Sequence, residues 1–301
     1  MLSLRRHGAG AALAAALLAP SIARAQWAGP CEQGRRPATR AVVGGAFVGG
    51  NAALYEYFRR AWWSGERSDF VVRSDWDVEF RDQDKLGHFL GGYQLSRVGA
   101  DLLRTACVGD RKAAWWGAAY AAAFQLQIEI WDGYQKKYGF SPPDLMFNTA
   151  GAALLVAQQE ASALRAIKPT ISYARTGAVK HAGSFPAGTV GNELRTTVDY
   201  AGQTYWLSTD VERLLPAGAK PYWPGLLRLS VGHGVTDWID AETGMPVRGR
   251  RKLVLSLDVD PEKLPGGHPL WKQVKHQLSY YRFPAPALVL TPTARGVAWY
   301  R

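Results

Sequence analysis

The sequence predicts an α+β fold: an N-terminal four-helix up-down bundle with small-residue packing stripes, followed by a C-terminal antiparallel β-rich region. Three observations carry this. Small residues recur at i, i+4 through the first half, apolar residues alternate with period two beyond Lys168, and Pro, Gly and Thr become frequent at that same point.

The first helix is expected from about Thr39 to Trp62, with Ala41, Gly45, Gly49 and Ala53 as a small stripe. The second runs from about Asp84 to Thr105, with Gly92, Ser96 and Ala100 at the same spacing. The third follows Asp110 as N-cap and continues to about Asp132; the fourth starts at Ser141 and runs to about Arg165. Ser141-Pro142-Pro143-Asp144 reads as a capping box with proline at the first helical position. Small stripes let helices approach closely. The apolar stretches Ala41–Leu54 and Ala113–Ile128 fall short of the ~20 residues that a membrane span needs.

In the second half, Leu227, Leu229, Val231 and Val235 share one strand face, as do Leu253, Leu255, Leu257 and Val259. Further strands are expected at Ile171–Ala174, Arg195–Asp199, Thr204–Ser208, Ala287–Thr291 and Val297–Tyr300. Six or seven strands are fewer than the ~8 of an outer-membrane barrel, so the expectation is a sheet packed beside the bundle.

The chain opens with the layout of a cleavable signal peptide. Arg5 and Arg6 form a basic region, Ala9–Ile22 an apolar one, and Ala23-Arg24-Ala25 the cleavage pattern. Residues 1–25 are therefore assigned to export, 26–165 to the bundle and 166–301 to a basic β-rich region packed on it. Pro30 precedes Cys31, where lipid attachment needs a small residue, so lipidation is set aside. The expected location is periplasm or cell envelope, with outer-membrane association.

The formal net charge is +11; without Arg5, Arg6 and Arg24 it is +8. The excess is uneven: residues 38–163 carry 13 Lys/Arg against 14 Asp/Glu, and residues 164–301 carry 18 against 10. An anionic membrane surface or envelope lipid is the natural partner of such a half, and a solvated basic surface is the alternative. Export argues against nucleic acid. Nothing points to a protein partner or a cofactor.

The residues that carry chemistry sit in the bundle. Asp84 and His88 are i, i+4 near the start of the second helix, Glu129 and Asp132 i, i+3 near the end of the third, and Asp144 and Asn148 i, i+4 at the start of the fourth. In an up-down bundle all three pairs fall at one end. Asp84, His88, Glu129 and Asp132 are the candidates for catalysis or metal ligation; Lys85, Asp144 and Asn148 are candidate binding residues. Three readings stay open: a buried polar knot that sets helix register, a metal or acid/base site, and a headgroup-binding site.

The runs DQDKLGHFLGGYQLS, EIWDGYQKKYGFSPPDLMFNTAGAALL and DYAGQTYWLS resemble the YfiM-like family of uncharacterised exported bacterial proteins and predicted lipoproteins, over about residues 50–240. More distantly, the elements around Asp84-Lys85 and His88, and around Asp144, Asn148 and Gly151, are similar to VanZ-like envelope proteins. Neither resemblance implies a reaction. The absence of a usable lipobox departs from the lipoprotein members, and the short helices and strand-rich tail depart from the VanZ-like ones.

No phosphate loop, nucleophile elbow or zincin helix is present. Gly232-His233-Gly234 is expected to form a bulge, and most of the 12 tryptophans to lie in the core. Cys31 precedes the first helix and Cys107 follows the second, which places both at one bundle end in an oxidising compartment and predicts a disulfide between them. The leading functional expectation is a structural or lipid-interface module at the periplasmic face of a membrane. The alternative is a metal-dependent or acid/base hydrolase acting on an envelope lipid or glycan.

Overall fold

The computed structural model describes residues 36–300. Four helices, α1 (Arg36–Ala61), α2 (Gln83–Thr105), α3 (Asp110–Asp132) and α4 (Pro142–Glu160), precede a six-stranded antiparallel sheet. The strands are β1 (Ile167–Tyr173), β2 (Gln203–Thr209), β3 (Leu227–Val235), β4 (Arg251–Val259), β5 (Ala285–Val289) and β6 (Arg295–Tyr300), each pairing with the next in chain order. A further helix, α5 (Pro269–Leu278), lies between β4 and β5. The chain forms two compact units. Residues 36–75 with His88–Ala161 make the helical unit, and Trp76–Gly87 with residues from Ser162 onward make the sheet unit.

In the helical unit the seams are built from small residues. A Cβ on Gly117 of α3 would lie 2.5 Å from the Ser96 carbonyl oxygen of α2, and one on Gly151 of α4 only 1.9 Å from the Phe89 carbonyl oxygen. Backbone therefore rests on backbone, and no side chain fits between. Ala118, Ala121, Ala152 and Val156 fill the α3–α4 contact. The α1 stripe behaves differently. Among the described residues, Gly45 and Gly49 have open space around them and Ala41 and Ala53 are exposed, so the stripe forms no seam there. Aromatic residues attach α1 to α3 instead, with Phe47 and Tyr120 ring centroids 4.8 Å apart and Phe58 and Phe124 6.4 Å apart.

Two local expectations need correction here. Asp110 is the first helical residue rather than the cap; Gly109 precedes it, and Asp110 accepts from Arg104 Nε at 2.8 Å. Trp115 and Trp116 are exposed, at 54% and 66%, rather than in the core. Ser141 does cap α4, its Oγ accepting from the Asp144 amide, with Pro142 following it. Cys31 and the signal-peptide residues lie outside the described residues, and so does any Cys31–Cys107 bridge. Among the described residues no helix is long and apolar enough to cross a membrane.

The sheet unit turns its alternation inside out. On β3, Arg228, Ser230 and Gly232 are buried while Leu229 and Val231 are exposed; on β4, Ser256 and Asp258 are buried while Leu253 and Leu257 are exposed. The inward face is a polar network around the Trp206 ring, against which Tyr300 packs edge-on. Ser208 and Ser230 both donate to Asp258 Oδ2, Arg228 pairs with Asp260 at 3.1 Å, and Trp206 donates to Ser172 Oγ at 3.0 Å. Val254, Ala287 and Val289 complete the packing against Trp206.

Gly232-His233-Gly234 makes no bulge: pairing to β2 and β4 runs unbroken through it. Gly232 is needed because the Trp206 ring stands 2.5 Å from where its Cβ would be. The irregularity falls between β5 and β6 instead. Arg195–Asp199 is not a strand. It holds the 3-10 turn Thr196–Val198, after which Asp199 accepts from Tyr173 Oη, Thr176 N and Thr176 Oγ1. Asp199 thereby ties this turn to the end of β1 and the segment after it, through its side chain rather than through a ladder.

Candidate functional site

The last turn of α3 delivers Glu129 and Asp132, and the chain then has to reverse within residues 133–141 to begin α4. Residues 66–73 are clipped onto this reversal: Val71 N donates to the Gly133 carbonyl, and Arg73 N and the Val71 carbonyl bond to Phe140. The clip carries Asp75 to Ser141, whose Oγ donates to Asp75 Oδ1 at 2.7 Å. Ser141 therefore works twice, as acceptor for the Asp144 amide and as donor to Asp75.

His88, Glu129, Asp144 and Asn148 meet in the helical unit. His88 Nε2 is 3.5 Å from Asp144 Oδ1, and His88 Nδ1 is 3.1 Å from Asn148 Oδ1 and 3.8 Å from Glu129 Oε1. Asn148 Nδ2 donates to Glu129 Oε1 and the Ser141 amide to Glu129 Oε2, both at 3.3 Å. Glu129, Asp144 and Asn148 are buried, whereas the His88 side chain is 31% exposed.

Asp132 stands beside this group, its Oδ1 accepting from Trp63 Nε1 at 2.6 Å. Asp84 and Lys85 belong to the sheet unit, where Lys85 Nζ donates to Asp84 Oδ2 at 2.9 Å, both buried. Asp84 and His88 remain one turn apart on α2.

The electrostatics follow from burial of several acids around one imidazole. Burial pushes the Glu129 carboxyl up to about 7; the His88 charge opposes this and the charges of Asp144 and Asp132 add to it. Burial likewise pushes Asp132 up to about 6, against the Trp63 hydrogen bond and His88. Carboxyls held this close to neutrality can give or take a proton, and an imidazole flanked by them can be oriented for the same work.

Three nearby residues were not among the sequence candidates. Asp75 and Trp63 come from outside the helical pairs, and Gln125 lies one turn before Glu129 on α3, buried, with its Nε2 lacking a hydrogen-bond partner. Spacing from Glu129 would have flagged Gln125; nothing local flags the other two. The third motif, DYAGQTYWLS, is structural: Gln203 Nε2 donates to the Thr196 and Thr197 carbonyls, and Trp206 fills the sheet's inward face.

Fold and site together define a mixed α+β protein whose helical half holds a partly exposed imidazole against buried carboxylates. Residues 79–159 match the family described as predicted periplasmic lipoprotein, a domain of unknown function (DUF2279), which supports an exported envelope chain of unestablished activity. The match spans α2 to α4 and so includes His88, Glu129, Asp132, Asp144 and Asn148. It carries neither the narrower YfiM-like naming nor the VanZ-like similarity. No curated protein and no solved structure matches the chain.

Proposed function

We propose that the mature chain, exported and cleaved after Ala25, is an envelope protein that rests on a lipid surface, that of the outer membrane, through the outward face of its sheet. One observation supports this reading. Leu207, Val231, Leu255 and Leu288 are register partners on four adjacent strands, an apolar row on the solvent side. Leu229 pairs with Leu257 in the next row, and Leu253 and Leu290 extend the patch. A depression of about 450 Å³ in it is lined by Leu229, Leu255, Leu257, Pro286, Leu288 and Ala298, among others.

A sheet in water buries its apolar face and solvates its polar one. Apolar residues outward and polar residues inward is the alternation of a sheet against hydrocarbon. A patch of this extent marks an interaction surface. The basic surplus of residues 164–301 adds attraction to anionic headgroups.

Vesicle flotation tests the reading. The mature chain is expected to float with neutral phosphatidylcholine vesicles, and more strongly with vesicles containing phosphatidylglycerol, the added part fading as salt screens it. A triple variant Leu207→Ser, Val231→Ser, Leu288→Ser should lose most of the binding to both. Absence of flotation, or an unaffected triple variant, overturns the proposal.

A further inference from the structure

We propose that His88, Glu129 and Asp144 form a site for one divalent first-row cation, such as Zn²⁺ or Mn²⁺, with Asn148 as the residue that orients the imidazole. One ligand atom from each of the three lies within 4.8 Å of the other two, and small side-chain rotations would bring them to coordination distance of a shared ion. One imidazole with two carboxylates is a nitrogen–oxygen set suited to such cations rather than to the all-oxygen shells of Ca²⁺.

The hydrogen-bond order around Asn148 points the same way independently. Its Nδ2 donates to Glu129 Oε1, which leaves its Oδ1 to face His88 Nδ1. A carbonyl-type oxygen can only accept, so the imidazole proton sits on Nδ1. With the imidazole neutral, as metal ligation requires, Nε2 turns its lone pair toward Asp144 Oδ1, 3.5 Å away. A histidine whose far nitrogen donates to a fixed acceptor while the near one faces carboxylates is the usual arrangement around a bound metal.

Access and surroundings fit. His88 is the partly exposed member and Glu129 and Asp144 lie behind it. Asn148 Nδ2 and the Ser141 amide hold the Glu129 carboxyl in place, each at 3.3 Å. Neither the family match nor the lipid-surface proposal bears on this site, which stands on its own geometry.

The test uses the tag-free mature chain stripped with EDTA, dialysed against ZnCl₂ or MnCl₂, and measured by calorimetry and elemental analysis. One equivalent of either metal per chain is expected. His88→Gln and Glu129→Gln should each abolish binding, and Asn148→Ala should weaken it at least about tenfold by freeing the imidazole. Circular dichroism checks that each variant is folded. Should Glu129→Gln not fold, His88→Gln, at the partly exposed position, decides alone. No bound metal, or equal stoichiometry and affinity in His88→Gln, overturns the proposal; a protonated His88–Asp144 ion pair would then account for the geometry.

Discussion

Arg282 lies face-on over Trp206, its guanidinium carbon 3.9 Å from the indole ring, on the inward side of the sheet. The pair explains how a polar face can serve as a core. The ring gives the buried cation a favourable surface, while the guanidinium donates to Ser256 Oγ, the Leu257 carbonyl and the Tyr300 carbonyl. Arg282→Ala is expected to cost about 2–4 kcal/mol, because buried acceptors lose their donor. Arg282→Lys should recover only part of that, lacking the planar fork. Urea unfolding followed by Trp fluorescence reads both; equal stability of wild type and Arg282→Ala would refute the network's role.

The two faces of the sheet make a paired prediction from one residue type. Val231 is 47% exposed and Val254, on the neighbouring strand, is fully buried. Val254→Thr should lower stability by about 1–3 kcal/mol through an added buried hydroxyl, and Val231→Thr by no more than about 0.5 kcal/mol. Comparable losses at both sites, in chemical denaturation, would mean that the outward face is covered in the folded protein.

Gly151 and Gly44 offer the same contrast in the helical unit. Gly151→Ala drives a Cβ into the Phe89 carbonyl and should cost at least about 1–3 kcal/mol by forcing α2 and α4 apart. Gly44 sits on α1 with nothing within 4 Å, so Gly44→Ala should stabilise by about 0.5–1 kcal/mol. Thermal unfolding of the two variants checks the sign of each.

Glu129 sets a pH dependence. Its folded-state pKa of about 7 lies above the ordinary value of 4.5. The folded protein thus holds this proton in a range where the unfolded chain has released it. The associated stability is fully present below about pH 4.5 and is lost as pH rises through about 7, a change of roughly 3 kcal/mol at most. Asp132 acts in the same direction from a lower start. EDTA-treated wild type should therefore lose stability between pH 5 and pH 8, and Glu129→Gln should lose less of it. Parallel denaturation profiles for the two would disprove the shift.

Much of the helical site was legible because helix periodicity is local. Asp144 and Asn148 fall on one face wherever α4 packs, and the Ser141 cap follows from the order Ser-Pro-Pro-Asp. Asp75 and Trp63 were not legible. Their place depends on residues 66–73 pairing with residues 133–140, a contact between segments some 65 positions apart that no periodicity announces. Nor could a small-residue stripe say whether a partner exists: the α2 stripe meets α3 and α4, whereas the α1 glycines have no neighbour within 4 Å among the described residues.

The sequence by itself determined the two halves, their secondary structure to within a turn at most boundaries, and which residues share a face, since each rests on neighbouring side chains and backbone sterics. Only the tertiary structure decided which face of the sheet turns inward. Alternation with period two is the same pattern read from either side. On the inward side the Trp206 ring fills the volume, and Arg228, Arg282 and Asp258 each find the hydrogen-bond partners that make their burial tolerable.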